Sequence, residues 1–149
     1  MVRRGAELED AEFARSTRGI VAKRTDREFL TEVAYADGRG LTDRAALYDF
    51  QRPRIDLVAE ALRELGGVRD QLVIDVGCGT GRYLPGLGAG GAAVIALDLS
   101  EGMLRSMPSS RGIRAVGDAA QLPLASGSVD VLLMMHMLYH VLDPAHAVR

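Results

Sequence analysis

Val73-Ile74-Asp75-Val76-Gly77-Cys78-Gly79-Thr80-Gly81 decides the reading of this chain. The run from Leu72 to Val76 is continuously apolar but for one acid, the pattern of a strand covered on both sheet faces. It passes directly into glycines at 77, 79 and 81. Glycine reaches backbone angles closed to other residues, and its missing side chain lets a ligand approach the main chain. The turn falls at the carboxyl end of a strand, where open α/β sheets bind ligands. A second acid, Asp98, closes the next apolar run, and its carboxylate can accept hydrogen bonds from both hydroxyls of a ribose. An acid at the end of a buried strand is costly unless something pairs with it, so Asp75 and Asp98 read as functional.

A nicotinamide dinucleotide site shares much of this outline, and spacing separates the two. The dinucleotide fingerprint is G-x-G-x-x-G, whereas Arg82 stands at the place of its third glycine. That glycine permits close packing of helix on strand, which an Arg side chain obstructs. The spacing favours a nucleoside ligand without pyrophosphate and disfavours an NAD-dependent oxidoreductase.

On the carboxyl side of the turn the chain reads as β-α units. A helix is expected over Thr80 to Leu87, a strand over Ala93 to Leu99, and a helix through Met107 capped by Ser100. Strands follow at Ile113 to Val116 and Val129 to Met135, separated by a loop over Pro123 to Ser128. Alternation of this kind implies the α/β class, with a parallel sheet and right-handed crossovers. On the amino side the pattern is helical and charged, so the chain divides into a helical cap region, 1–70, and a core, 71–149. Thr25-Asp26-Arg27-Glu28 has the form of a capping box, with Phe29, Leu30, Val33 and Ala34 on one helical face beyond it and Asp37-Gly38 and Gly40 ending the helix. A short helix is expected from Asp43 to Phe50. Pro53 suits the first turn of the next helix, whose stripe is Ile55, Leu57, Val58, Ala61, Leu62 and Leu65 and whose stop is Gly66-Gly67.

Asp143-Pro144 is a strong helix start, yet five residues follow Pro144. So short a helix is unstable alone, and it leaves the apolar strand before it without a neighbour. The expectation is a C-terminally truncated fold. It is a fragment, or it is completed by another chain, or it pairs with or swaps elements with a copy of itself in a homodimer.

Composition adds exclusions. The 149 residues are 48% hydrophobic and 26% charged, with net charge -2. No global positive field is present for nucleic acid. The single cysteine, Cys78, forms no internal disulfide framework and reads as a small packing residue. No apolar run approaches the ~20 residues of a membrane helix, and Met1-Val2-Arg3-Arg4 does not open a signal peptide. A cytoplasmic protein without membrane partners is expected.

Four ordered stretches carry a family resemblance. Asp75 to Gly81, D-V-G-C-G-T-G, resembles the first motif of class I S-adenosylmethionine-dependent methyltransferases. Ala96 to Leu104 resembles the second, Gly117 to Leu124 the third, and Ser128 to Met134 with Met137 to Val141 the fourth-strand region. The likeness covers Leu72 to the chain end and is closest to the small-molecule branch. It implies a Rossmann-like three-layer sandwich of strand order 3-2-1-4, four of whose usual seven strands are readable. It implies S-adenosylmethionine as methyl donor and a small-molecule acceptor. It also implies roles. Gly77, Gly79, Thr80 and Gly81 line the methionine and ribose, and Asp75 orients the methionine end. Asp98 holds the ribose hydroxyls, and Leu99 or Met103 packs on the adenine. Asp118 and the Ala119 backbone meet the adenine amino group, and the Met134 or Met135 carbonyl faces the ammonium.

Methyl transfer from a sulfonium depends chiefly on positioning. Where the acceptor is a hydroxyl a general base helps, and His140, with His136 nearby, is the candidate, weighed against a structural role. Tyr35, Tyr48 and Tyr83 are candidates for the pocket wall, weighed against core. His136 and His140 are four apart and on a helix would share a face, but a metal site needs at least one more ligand, so no metal is expected. A donor-binding module without turnover is the alternative to an enzyme.

Overall fold

The computed structural model describes residues 22–41, 50–108 and 112–148. Its centre is β1, Leu72–Val76, buried on both faces from Val73 onward. β2, Ala93–Asp98, lies parallel to it in the register Leu72↔Ala93 to Val76↔Leu97. β3, Ile113–Val116, pairs with the far side of β2. β4, Val131–Leu133, pairs with β1 through Val73↔Val131 to Asp75↔Leu133. All pairings are parallel and the order is β3-β2-β1-β4, as expected. Parallel neighbours require crossovers, and helices α1, Leu57–Glu64, α2, Leu84–Ala89, and α3, Glu101–Ser106, occur between strands or before them.

Side-chain alternation divides the core in two. Val73 on β1 and Val94 and Ala96 on β2 face one way, against Leu84, Leu87, Leu104 and Met107, with α1 adding Val58, Ala61, Leu62 and Leu65. Ile74, Val76 and Leu97 face the other way, against Ala119, Val141 and a rim that includes Met134, Met137 and Ala147. Because side chains alternate along a strand, Asp75 and Asp98 both fall on the first face, at its carboxyl edge.

Several boundaries differ from expectation. The Thr25–Glu28 box does not form. Residues 22–25 are already helical, so the Thr25 hydroxyl turns back to the Ala22 carbonyl, and Asp26 supplies the cap by accepting from Phe29 N–H at 2.9 Å. The next turn is a π-helix, Phe29–Ala34, closed by Tyr35 N–H on the Leu30 carbonyl at 2.9 Å. Its wider turn rotates the apolar positions apart, so Leu30 is buried while Val33 is 66% exposed. Pro53 precedes α1 without entering it, and Asp56 caps α1 through Val58 and Ala59 N–H. Ile55 stays outside the stripe, at 47% exposure. α2 starts at Leu84 and not at Thr80, because the left-handed φ of Gly79 and Gly81 prolongs the turn. β2 ends at Asp98, and β4 is confined to three residues, since His136 at φ 57° turns the chain away from β1. The short helix α4, Pro144–Ala147, is capped by Asp143, whose carboxylate accepts from His146 N–H at 3.0 Å. The helix expected at Asp43 to Phe50 lies outside the described residues but for Phe50, and Tyr48 lies outside them too. Among the described residues no helix is long and apolar enough to cross a membrane.

Candidate functional site

A cavity of about 820 Å³ opens where the glycine turn, the ends of β1 and β2 and the residues after β3 and β4 converge. Its floor is acidic. Asp75 is 1% exposed, and its Oδ2 has no hydrogen-bond partner among the described residues. Burial, with the Asp98 charge adding to it, pushes its pKa up to about 7. Asp98 is also shifted upward by burial, against the opposing hydrogen bonds that it accepts. Its Oδ2 accepts from Gly79 N–H and its Oδ1 from Ser100 N–H, both at 2.8 Å. The Asp98 carboxylate thus ties the glycine turn to the first turn of α3 and lines the cavity.

The turn needs its glycines for two reasons. Gly77 has φ 69°, and a side chain there would collide with Met137 at 2.8 Å. Gly81, expected to line the ligand, does not reach the cavity. Its bare α-carbon lies against Met107, so its role is packing of the turn on the core beneath. Gly77, Gly79, Thr80, Asp98, Leu99, Met103, Asp118, Ala119 and Met135 do line the cavity, as do Asp75 and His140. Cys78 is buried, and burial raises its thiol pKa, which makes it a packing group and not a nucleophile. Among the described residues no three His, Cys, Asp or Glu side chains gather as metal ligands.

The opposite wall comes from residues 22–41. Tyr35 Oη stands 2.8 Å from His140 Nε2, with the rings edge to face at 5.3 Å between centroids. His140 Nδ1 stands 2.8 Å from the Arg24 carbonyl. A carbonyl only accepts, so Nδ1 carries the proton, and in the neutral ring Nε2 accepts from the Tyr35 hydroxyl. Arg27 grips Asp118 Oδ2, with Nε at 2.6 Å and Nη2 at 2.5 Å, while Asp118 Oδ1 accepts from Ala120 N–H at 2.9 Å. Sequence reading found His140, Asp118 and Tyr35 separately but neither pairing. The partners lie 105 and 91 positions apart, and no local pattern links them.

Glycine turn, strand-end acids and parallel order define a Rossmann-like α/β domain of the methyltransferase type. A methyltransferase-domain family model matches residues 74–149, and the chain belongs to that family. Over 110 residues it is 31% identical to the ubiquinone biosynthesis O-methyltransferase of Alkalilimnicola ehrlichii, a match covering 69% of this chain and 43% of that protein. Over 120 residues it is 32% identical to the demethylmenaquinone methyltransferase of Renibacterium salmoninarum, covering 69% of this chain and 50% of the relative. An S-adenosylmethionine-dependent methyltransferase from Mesorhizobium loti superposes with TM-score 0.53 at 31% identity, over 59% of this chain and 43% of that one. The chain therefore spans half or less of the length of these relatives.

Proposed function

We propose that this chain binds S-adenosylmethionine and takes part in methyl transfer to a hydroxyl group of a small molecule. The observation that carries the proposal is Asp75. Its buried carboxylate oxygen has no hydrogen-bond partner among the described residues, and Asp75 lines the cavity of about 820 Å³. A ligand with an ammonium group supplies the missing partner. Asp75 and the Met135 carbonyl hold the methionine ammonium in this reading, and Gly77, Gly79 and Thr80 flank the chain that joins it to the ribose. Asp98 accepts from the ribose hydroxyls, Leu99 and Met103 cover the adenine, and Asp118 with the Ala119 backbone meets the amino group.

The donor supplies an electrophilic methyl on sulfur; the protein's part is to place a nucleophile in line with it. Tyr35 and His140 fit a hydroxyl acceptor. The acceptor gives its proton to the Tyr35 oxygen as the Tyr35 proton passes to His140 Nε2, and the Arg24 carbonyl steadies the imidazolium through Nδ1–H. The names of the two quinone-pathway relatives support a small-molecule acceptor, and the cytoplasm is the proposed location. The proposed division, a helical region 1–70 and a donor-binding core 71–149, rests on the change of sequence pattern at residue 70.

Calorimetric titration with S-adenosylhomocysteine, with NAD as control, tests the proposal. Saturable binding of the former alone, weakened in Asp75→Asn, is the expected result. Binding of NAD in its place, or of neither ligand, refutes donor binding by this chain.

A further inference from the structure

The Tyr35–His140 contact requires the 22–41 segment to be held at a fixed height above the sheet. The first turn of α3 does this in two ways. Ser100, 2% exposed, donates its hydroxyl hydrogen to the Tyr35 carbonyl at 2.6 Å while its Oγ accepts from Met103 N–H at 3.2 Å. Two residues on, a Cβ built at Gly102 would stand 1.8 Å from the Ala36 carbonyl oxygen. Gly102 sits inside a helix, where alanine is intrinsically the better residue. Its φ is not in the left-handed region, so the helix itself does not call for glycine there. The call comes from the 35–36 backbone lying directly on α3.

We infer that Ser100 and Gly102 are positioning residues. They form a latch that seats the Tyr35 backbone on α3 and so sets the Tyr35 hydroxyl on His140 Nε2. The latch also shares a residue with the donor site: Ser100 N–H donates to Asp98, which holds Gly79. Acceptor-side and donor-side geometry thereby meet at one serine. The inference rests on the proposed reading of Tyr35 and His140 as the acceptor-facing pair, but its test does not depend on methyl transfer.

The test compares the whole chain with Gly102→Ala. Three readouts are taken: the ring-nitrogen resonances of His140 by NMR, the rate of tryptic cleavage after Arg27 and Arg39, and binding of S-adenosylhomocysteine. The wild type shows a fixed Nδ1–H tautomer. In Gly102→Ala the His140 nitrogens move to averaged values, and cleavage quickens roughly tenfold, the scale of one lost docking hydrogen bond. Thermal stability falls, because the Ala36 backbone must lift off α3, and S-adenosylhomocysteine affinity changes by less than about threefold, since Gly102 itself makes no donor contact. Unchanged His140 resonances and cleavage in a folded Gly102→Ala overturn the latch. Should that variant unfold, Ser100→Thr and Ser100→Ala decide. Thr keeps the hydroxyl and the His140 tautomer while Ala loses both, and equal behaviour of the two overturns it. Absence of S-adenosylhomocysteine binding in the wild type fails the donor-site reading instead and leaves the latch readouts interpretable.

Discussion

Asp75 in the proposed role sets a conflict between stability and ligand binding. Its folded pKa of about 7 lies above the ordinary carboxylate value, so the folded chain holds a proton that the unfolded chain releases. The group's contribution to stability is greatest below about pH 4 and is lost as pH rises through about 7. Asp75→Asn removes the charge, and the expected outcome at pH 8 is a gain of roughly 1–3 kcal/mol in unfolding free energy, read from urea melts. The same variant should bind S-adenosylhomocysteine about tenfold or more weakly, the value of a lost charged hydrogen bond. In the wild type, an ammonium partner favours the ionised carboxylate, so binding below pH 7 should release a proton. Affinity should then fall as pH drops from 7 to 5, and calorimetry in buffers of different ionisation enthalpy reads the proton directly. Tyr35→Phe keeps the ring and removes the relay proton. Methyl transfer should drop by about 10²-fold or more while S-adenosylhomocysteine affinity holds.

The strands end at the cavity. β1 runs into the glycine turn, β2 stops at Asp98, and β4 stops before His136. The turn is the most constrained element. Gly77→Ala forces a left-handed φ on a residue with a side chain and drives that side chain into Met137. A loss of about 1–3 kcal/mol is expected in thermal or urea unfolding. α3 is anchored at its far end by β3, for Arg114 donates to the Leu104 carbonyl at 2.9 Å and the Pro108 carbonyl at 2.6 Å. Arg114→Met leaves both carbonyls to find other partners and should cost roughly 1–3 kcal/mol by the same melts. Elements of strong local pattern were legible: β1 and β3 match residue for residue, and Ser100 caps α3 with Met103 N–H on its oxygen. The misread ones are those whose bounds depend on remote partners. β4 shortens because it meets β1 over three residues. The π-turn at Phe29–Ala34 has no periodicity that differs visibly from an α-helix in so short a stretch.

For the molecule as a whole, the cavity joins parts that are far apart in the chain. The 22–41 segment reaches the sheet through Arg27 on Asp118, Tyr35 on Ser100 and His140, and Ala36 on Gly102. Ligand that binds the folded chain alone stabilises it by mass action. S-adenosylhomocysteine at a hundred times its Kd should add about 2.7 kcal/mol and raise Tm by roughly 5–10 °C, with no shift from NAD. A Tm that does not move sets the donor site aside whatever the sheet order.

The glycine turn, both strand-end acids, the parallel order and the family were readable from residues alone, because each rests on contacts between near neighbours or on a pattern with a fixed period. Residues 77 and 79 lie within a few positions of Asp75, and Asp98 closes the next strand, so their meeting follows once β1 and β2 pair. The Tyr35–His140 contact, the Arg27 grip on Asp118 and the seating of Ala36 on Gly102 were decided only by the tertiary structure. They join positions separated by about half the chain or more, and such meetings depend on how the whole sheet, its twist and its covering segments close over one another, which no local stretch encodes.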